Sequence, residues 1–205
     1  MVKIFRRQDS RRARPRAIIA SMMPGGHLAT AAALSGAAYA ATGSVEAAAG
    51  CFAGGFLIDV DHYLDYLVFE KQWRRPSPLS FLSYYFTYSP QRLVLPLHSV
   101  ELMSVMLAVI VFHPWPLLAG YWLGAAMHMT FDVLINGEYA LRRAVLFYFF
   151  SYRSKNKFAA GKLMDRVVLP AGTGKRPILE FFRWRPAGGK EPPVEQDAQA
   201  QTALL

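Results

Sequence analysis

The stretch GGFLIDVDHYLDYLVF, residues 54–69, sets Asp59, Asp61, His62 and Asp65 in a run otherwise apolar enough for lipid. An aspartate at the centre of a membrane helix costs roughly 2.5–3.5 kcal/mol, so three together approach about 8–10 kcal/mol. Imidazole and carboxylate in one place are the donors that suit Zn, or Mn and Fe. Binding of a structural Zn ion, worth about 10–16 kcal/mol, would outweigh that burial cost. The other histidines fall in a similar setting. His27 opens an Ala-rich run, His98 precedes Glu101 by three residues, and His128 precedes Asp132 by four. Such spacings put each pair on one helical face. His113 lies in an HPWP turn and is expected to be solvated.

Four apolar stretches must position these residues: about 17–42, about 47–69, LVLPLHSVELMSVMLAVIVF (93–112) and PWPLLAGYWLGAAMHMTFDVLI (114–135). The last two hold about 20 mostly apolar residues each, the length of a membrane span. The segment EKQWRRPSPLSFLSYYFTYSPQR (70–92) is expected to be a loop because of its prolines, serines and basic residues. Lys and Arg crowd into residues 1–16, that loop and the region after 140, and none lies between Leu93 and Ile135. Four passes with both termini cytoplasmic satisfy the positive-inside rule at every loop. With about 1.5 Å of rise per residue, His62, His98 and His128 then fall roughly 8–12 Å from the cytoplasmic end of their spans, and His27 falls in the same half. Four histidines on four spans thus share one layer.

Composition agrees. Apolar residues make up 53% of the 205 and charged residues 18%, against about 25% charged in a soluble domain. The net charge of +9, beside such apolar runs, suits an anionic membrane surface and not nucleic acid. Cys51 is the single cysteine, which excludes an internal disulfide and thiolate-rich zinc motifs. The expected architecture is therefore an all-α integral membrane protein, a four-helix transmembrane bundle with a basic interfacial C-terminal region. Its parts are a basic cytoplasmic segment (1–16), the membrane domain with the metal site (17–136), an interfacial region (137–185) containing ALRRAVLFYFF and ILEFFRWR, and a disordered tail (186–205). SRRARPRAIIA with a downstream AYA also resembles a twin-arginine or Sec signal peptide, though PGGH interrupts its apolar run. Initiation at Met22 or Met23 would omit the segment.

The order of these motifs resembles the integral-membrane, metal-dependent hydrolases of bacterial inner membranes, a family distantly similar to zinc-dependent phospholipase C. Its pattern is a His opening the first helix, DxDH in the second, HS at the start of the third and HxxxD in the fourth. Here these are His27, Asp59, Asp61 and His62, His98 and Ser99, and His128 and Asp132, over roughly residues 22–136. Many members carry Pro where this chain has Ile58, and a further His where it has apolar residues such as Leu93. The resemblance implies a hydrolase of the inner membrane, in which His27, Asp59, His62, His98, His128 and Asp132 hold one or two divalent ions. On this reading the enzyme is a phosphoesterase acting on a lipid or lipid-linked substrate at the cytoplasmic leaflet. Asp61 or Glu101 is the expected general base, and Arg74, Arg75 and Arg92 are candidates to hold an anionic headgroup. Intramembrane His and Asp also suit an ion- or proton-coupled transporter or metal carrier, and a non-catalytic membrane protein with a structural metal site is a third possibility.

Overall fold

The computed structural model describes residues 20–21, 24–87, 90–136, 141–164, 177–182 and 185–186. The basic segment 1–16, most of the signal-like stretch and nearly all of the tail lie outside them. Helices dominate, as expected. α1 (Pro24–Thr42) ends at Gly43, whose φ of +65° allows the turn into α2 (Val45–Phe56), capped by the Ser44 hydroxyl. A 3₁₀ turn, Leu57–Asp59, leads into α3 (Val60–Val68). Then come α4 (Pro78–Thr87), α5 (Val100–Phe112) and α6 (Pro116–Phe131), the last continuing as one π turn, Asp132–Asn136. Short helices α7 (Ala144–Phe147), α8 (Phe150–Lys155), α9 (Ala160–Leu163) and α10 (Pro177–Phe182) follow. Ala20–Ser21 pairs antiparallel with Arg185–Pro186.

α2 and α6 lie backbone to backbone because glycines meet there from both sides. A Cβ at Gly50 or Gly54 would stand 2.0 Å from the carbonyl oxygens of Leu117 and Tyr121. A Cβ at Gly120 or Gly124 would stand 2.1 Å from those of Ala47 and Cys51. Both helices thus present a small-xxx-small face of the kind that brings membrane helices together. α1 joins this pair through Ala31, which faces Gly55, and through the Ser35 hydroxyl, which donates to Ala48 O at 2.7 Å.

Two of the expected spans and one expected loop differ from expectation. The second is bent by the 3₁₀ turn, which breaks the α-helical register between Phe56 and Val60. The third is a helix only from Val100. Pro96 removes an N–H and restricts the residue before it, and Leu95 takes a φ of +46°, so residues 93–99 run as an irregular segment. The third helix has 13 residues, about 20 Å at the helical rise and short of a hydrocarbon core of about 30 Å. The 70–92 segment, expected to be a loop, contains α4. Among the described residues one helix, Pro116–Ile135, is long and apolar enough to cross a membrane. A further apolar surface runs over the far end of the bundle, where Val105, Val111, Phe112 and Trp115 are each more than half exposed.

Candidate metal centre

All six expected ligands converge. His27 comes from the first turn of α1, Asp59 from the 3₁₀ turn, His62 from α3, His98 from the segment before α5, and His128 and Asp132 from the end of α6. His98 Nε2, His128 Nε2 and Asp59 Oδ1 form a triangle with sides of 3.3, 3.4 and 3.5 Å. Asp132 Oδ2 stands 3.3 Å from His128 Nε2 and 4.0 Å from His98 Nε2. Tetrahedral N and O donors sit roughly 2.0–2.1 Å from a zinc ion, which puts neighbouring donors about 3.3 Å apart. The three atoms of the triangle therefore have the spacing of ligands to one ion, and Asp132 Oδ2 stands at the same range from the two imidazoles. Two donors flank them: His62 Nε2 lies 3.7 Å from the same Asp59 oxygen, and His27 Nε2 lies 3.2 Å from the other oxygen of Asp132. Taken separately, His27, His128 and Asp132 form one possible ligand set, and Asp59, His62 and His98 another.

The hydrogen bonds behind the imidazoles decide which nitrogens face inward. His128 Nδ1 donates to Gly55 O at 2.9 Å, and His98 Nδ1 donates to the Asp61 carboxylate at 3.0 Å. Both partners only accept, so each neutral ring carries its proton on Nδ1 and presents a lone pair at Nε2. With both rings neutral, two such lone pairs face each other and two carboxylates, a repulsion that a proton on Nε2 or a metal cation among them relieves. Outer partners of this kind orient metal-bound histidines. His27, stacked on His128 with ring centroids 4.0 Å apart, has its Nδ1 buried and without a hydrogen-bond partner.

The three aspartates of the opening motif divide into two roles. Asp61 and Asp65, one turn apart on α3, face the irregular segment. Asp65 Oδ2 accepts from Val94 N and Leu95 N at 2.7 and 3.3 Å, and Asp61 Oδ2 accepts from Leu97 N and His98 N at 3.0 and 3.3 Å. Asp59 faces the donor cluster. Arg153, fully buried, grips the opposite side of the same segment, donating to His98 O and Leu95 O at 2.8 Å each and to Phe147 O at 2.7 Å. Burial pulls its guanidinium below its ordinary pKa, while the charges of Asp61 and Glu101 oppose that shift. His98 is thus held on a backbone clamped through its N–H groups from α3 and its carbonyls from α8.

Glu101 turns away from His98. Its carboxylate accepts from Phe150 N at 2.8 Å, Ser151 N at 2.9 Å and the Ser99 hydroxyl at 3.0 Å, tying α5 to the start of α8. The two expected bases therefore have their carboxylates engaged, Asp61 by His98 and its backbone, Glu101 by α8. Arg74, Arg75 and Arg92 are on the surface. Arg74 lies over the Trp73 ring, Arg75 lines a cleft of about 450 Å³ with Tyr66 and Tyr84, and the Arg92 N–H donates to Glu70.

Two tyrosines that sequence reasoning did not single out also reach the cluster. Tyr85, from α4, hydrogen-bonds His62 Nδ1. Tyr148, after α7, is buried beside Asp132 and His98. Burial, reinforced by the surrounding carboxylates, pushes both phenols well above their ordinary pKa, so both keep their protons. The cluster is most open at Asp59 and His62, which keep 32% and 23% of their side chains exposed, against 14% for Asp132, 5% for His27 and 1% for His98 and His128. No family model, curated protein or solved structure matches this chain.

Proposed function

We propose that this chain is a membrane-bound, metal-dependent hydrolase, acting as a phosphoesterase on a lipid or lipid-linked substrate at the cytoplasmic leaflet. The observation that carries the proposal is the set of four inward-facing donors at ligand spacing, with the outer nitrogens of both facing imidazoles already committed to acceptors. His98, His128, Asp59 and Asp132 would hold one ion. His27 with Asp132, and His62 with Asp59, offer donors for a second. A divalent ion, Zn above Mn or Fe, would supply Lewis acidity toward a phosphoryl or carbonyl oxygen and would acidify water.

The chain's own groups do the rest. Asp61 and Gly55 O keep the protons of His98 and His128 on the outer nitrogens. Asp59 and His62 line the open side, where substrate and water enter. With one ion bound, His62, paired with Asp59 and backed by Tyr85, is the group left to accept a proton. The Tyr148 hydroxyl, which retains its proton, donates it to Asp132 and so orients that carboxylate. The four-pass inner-membrane arrangement, with α1, α2–α3, α5 with its preceding segment, and α6 as passes, is supported by the paired glycine faces, the bare apolar side of α5 and the positive-inside distribution. The motif resemblance to inner-membrane metal hydrolases agrees with it.

The test is elemental analysis of the detergent-purified protein, followed by chelator-sensitive turnover of a phospholipid and phosphodiester panel. Wild type should retain a divalent metal, and His98→Ala and His128→Ala should lose it while staying folded. A well-folded wild type that binds no divalent metal would refute the proposal. So would one that binds metal but only moves it across liposomes.

A further inference from the structure

Four imidazoles surround the donor cluster, and they differ in what stands behind them. His98 and His128 donate from Nδ1 to a carboxylate and a carbonyl, so each neutral ring has a single lone pair to give, at Nε2. His27 has no such outer acceptor. Its side chain is 95% buried, and among the described residues nothing bonds its Nδ1. Its Nε2 stands 3.2 Å from Asp132 Oδ1, and its ring lies on that of His128, with planes 25° from parallel.

A neutral His27 has two places for its proton. On Nδ1, the proton would free Nε2 for a metal ion but leave a buried N–H with nothing to accept it, a state that folded interiors avoid. On Nε2, it is donated to Asp132 Oδ1 and no N–H is orphaned. Metal-bound histidines almost always donate from the other nitrogen, and metal-bound carboxylates are themselves hydrogen-bonded from outside. His98 and His128 meet the first condition. Asp132 meets the second, with His27 and Tyr148 as its donors.

Counting lone pairs then limits the centre. His98 and His128 have one each, and both point at the same place. A second ion could draw only on His27 with Asp132, or on His62 with Asp59, two side chains in either position. A catalytic zinc takes three. We infer that the centre holds one ion, between His98, His128, Asp59 and Asp132, and that His27 is not a ligand but a positioning residue. It donates Nε2–H to Asp132 Oδ1, which leaves Oδ2 turned toward His128 and the metal. This rests on the metal-centre reading above.

The test reads the nitrogens directly. Full-length wild type in detergent, with its histidines labelled at both ring nitrogens, is saturated with zinc for elemental analysis and with magnetic cadmium for NMR. One metal per chain is expected, with cadmium–nitrogen splitting at Nε2 of His98 and His128. His27 should show no splitting and should carry its proton on Nε2. His27→Gln keeps an N–H donor near the place of Nε2 and should bind zinc within about threefold of wild type, whereas His27→Leu should bind about 10–100-fold more weakly. Two metals per chain, cadmium splitting at His27, equal losses in H27Q and H27L, or no loss in H27L would each overturn the inference and leave the hydrolase reading intact. A folded wild type that binds no metal would overturn both.

Discussion

Asp61→Asn isolates the claim that a buried carboxylate sets the tautomer of His98. Asn has nearly the shape of Asp, so packing around this fully buried side chain is preserved. Its amide oxygen can keep the Leu97 and His98 N–H groups now held at 3.0 and 3.3 Å and stays 3.0 Å from His98 Nδ1, while the amide nitrogen replaces the oxygen 3.1 Å from that ring nitrogen. Two donors then oppose each other. The ring relieves this by moving its proton to Nε2, the nitrogen that stands 3.3 Å from His128 Nε2. Two costs follow. A charge-assisted bond of about 1.5–3 kcal/mol becomes a neutral one of about 0.5–1.5, a stability loss near 1 kcal/mol. Metal affinity falls about 10–100-fold, the usual effect of removing an outer partner, equivalent to about 1.4–2.8 kcal/mol. Competition against a chromophoric zinc chelator at constant pH measures the affinity, and ring nitrogen shifts of labelled His98 report the tautomer. If the variant binds zinc within a factor of about two of wild type, with His98 still protonated at Nδ1, the tautomer argument fails.

Two further outcomes follow from the packing. Glu101→Gln weakens the tie between α5 and α8 and should lower thermal stability by about 1–2 kcal/mol while leaving zinc affinity unchanged. A folded, metal-loaded E101Q without turnover would instead restore Glu101 as the base. Gly54→Ala places a methyl 2.0 Å from Tyr121 O, so α2 and α6 must separate. It should cost about 1–3 kcal/mol or more, read as a lower melting temperature in detergent, whereas Gly36→Ala, with open space around it, should change little.

The cluster of His and Asp side chains was legible in the sequence because apolar stretches make exceptions visible. His27, Asp59, His62, His98, His128 and Asp132 stand out from apolar neighbours. The glycine faces of α2 and α6 were also written locally, as Gly50-x-x-x-Gly54 and Gly120-x-x-x-Gly124. Their meaning needed only the rule that small residues let membrane helices touch.

The division of labour among the aspartates was not local. Asp59, Asp61 and Asp65 are the same residue type on one short segment. The 3₁₀ turn aims the first at the metal donors, and the path of residues 94–98 gives the other two their N–H partners. Arg153 lies 55 positions from His98, and Tyr85 lies 23 from His62; periodicity relates neighbours within an element, and no pattern of that kind links such pairs. Residue type and spacing therefore determined which side chains could gather around a cation. Tertiary structure decided which carboxylates bind and which orient, because a carboxylate's role depends on the donors that reach its oxygens, and those arrive from distant parts of the chain.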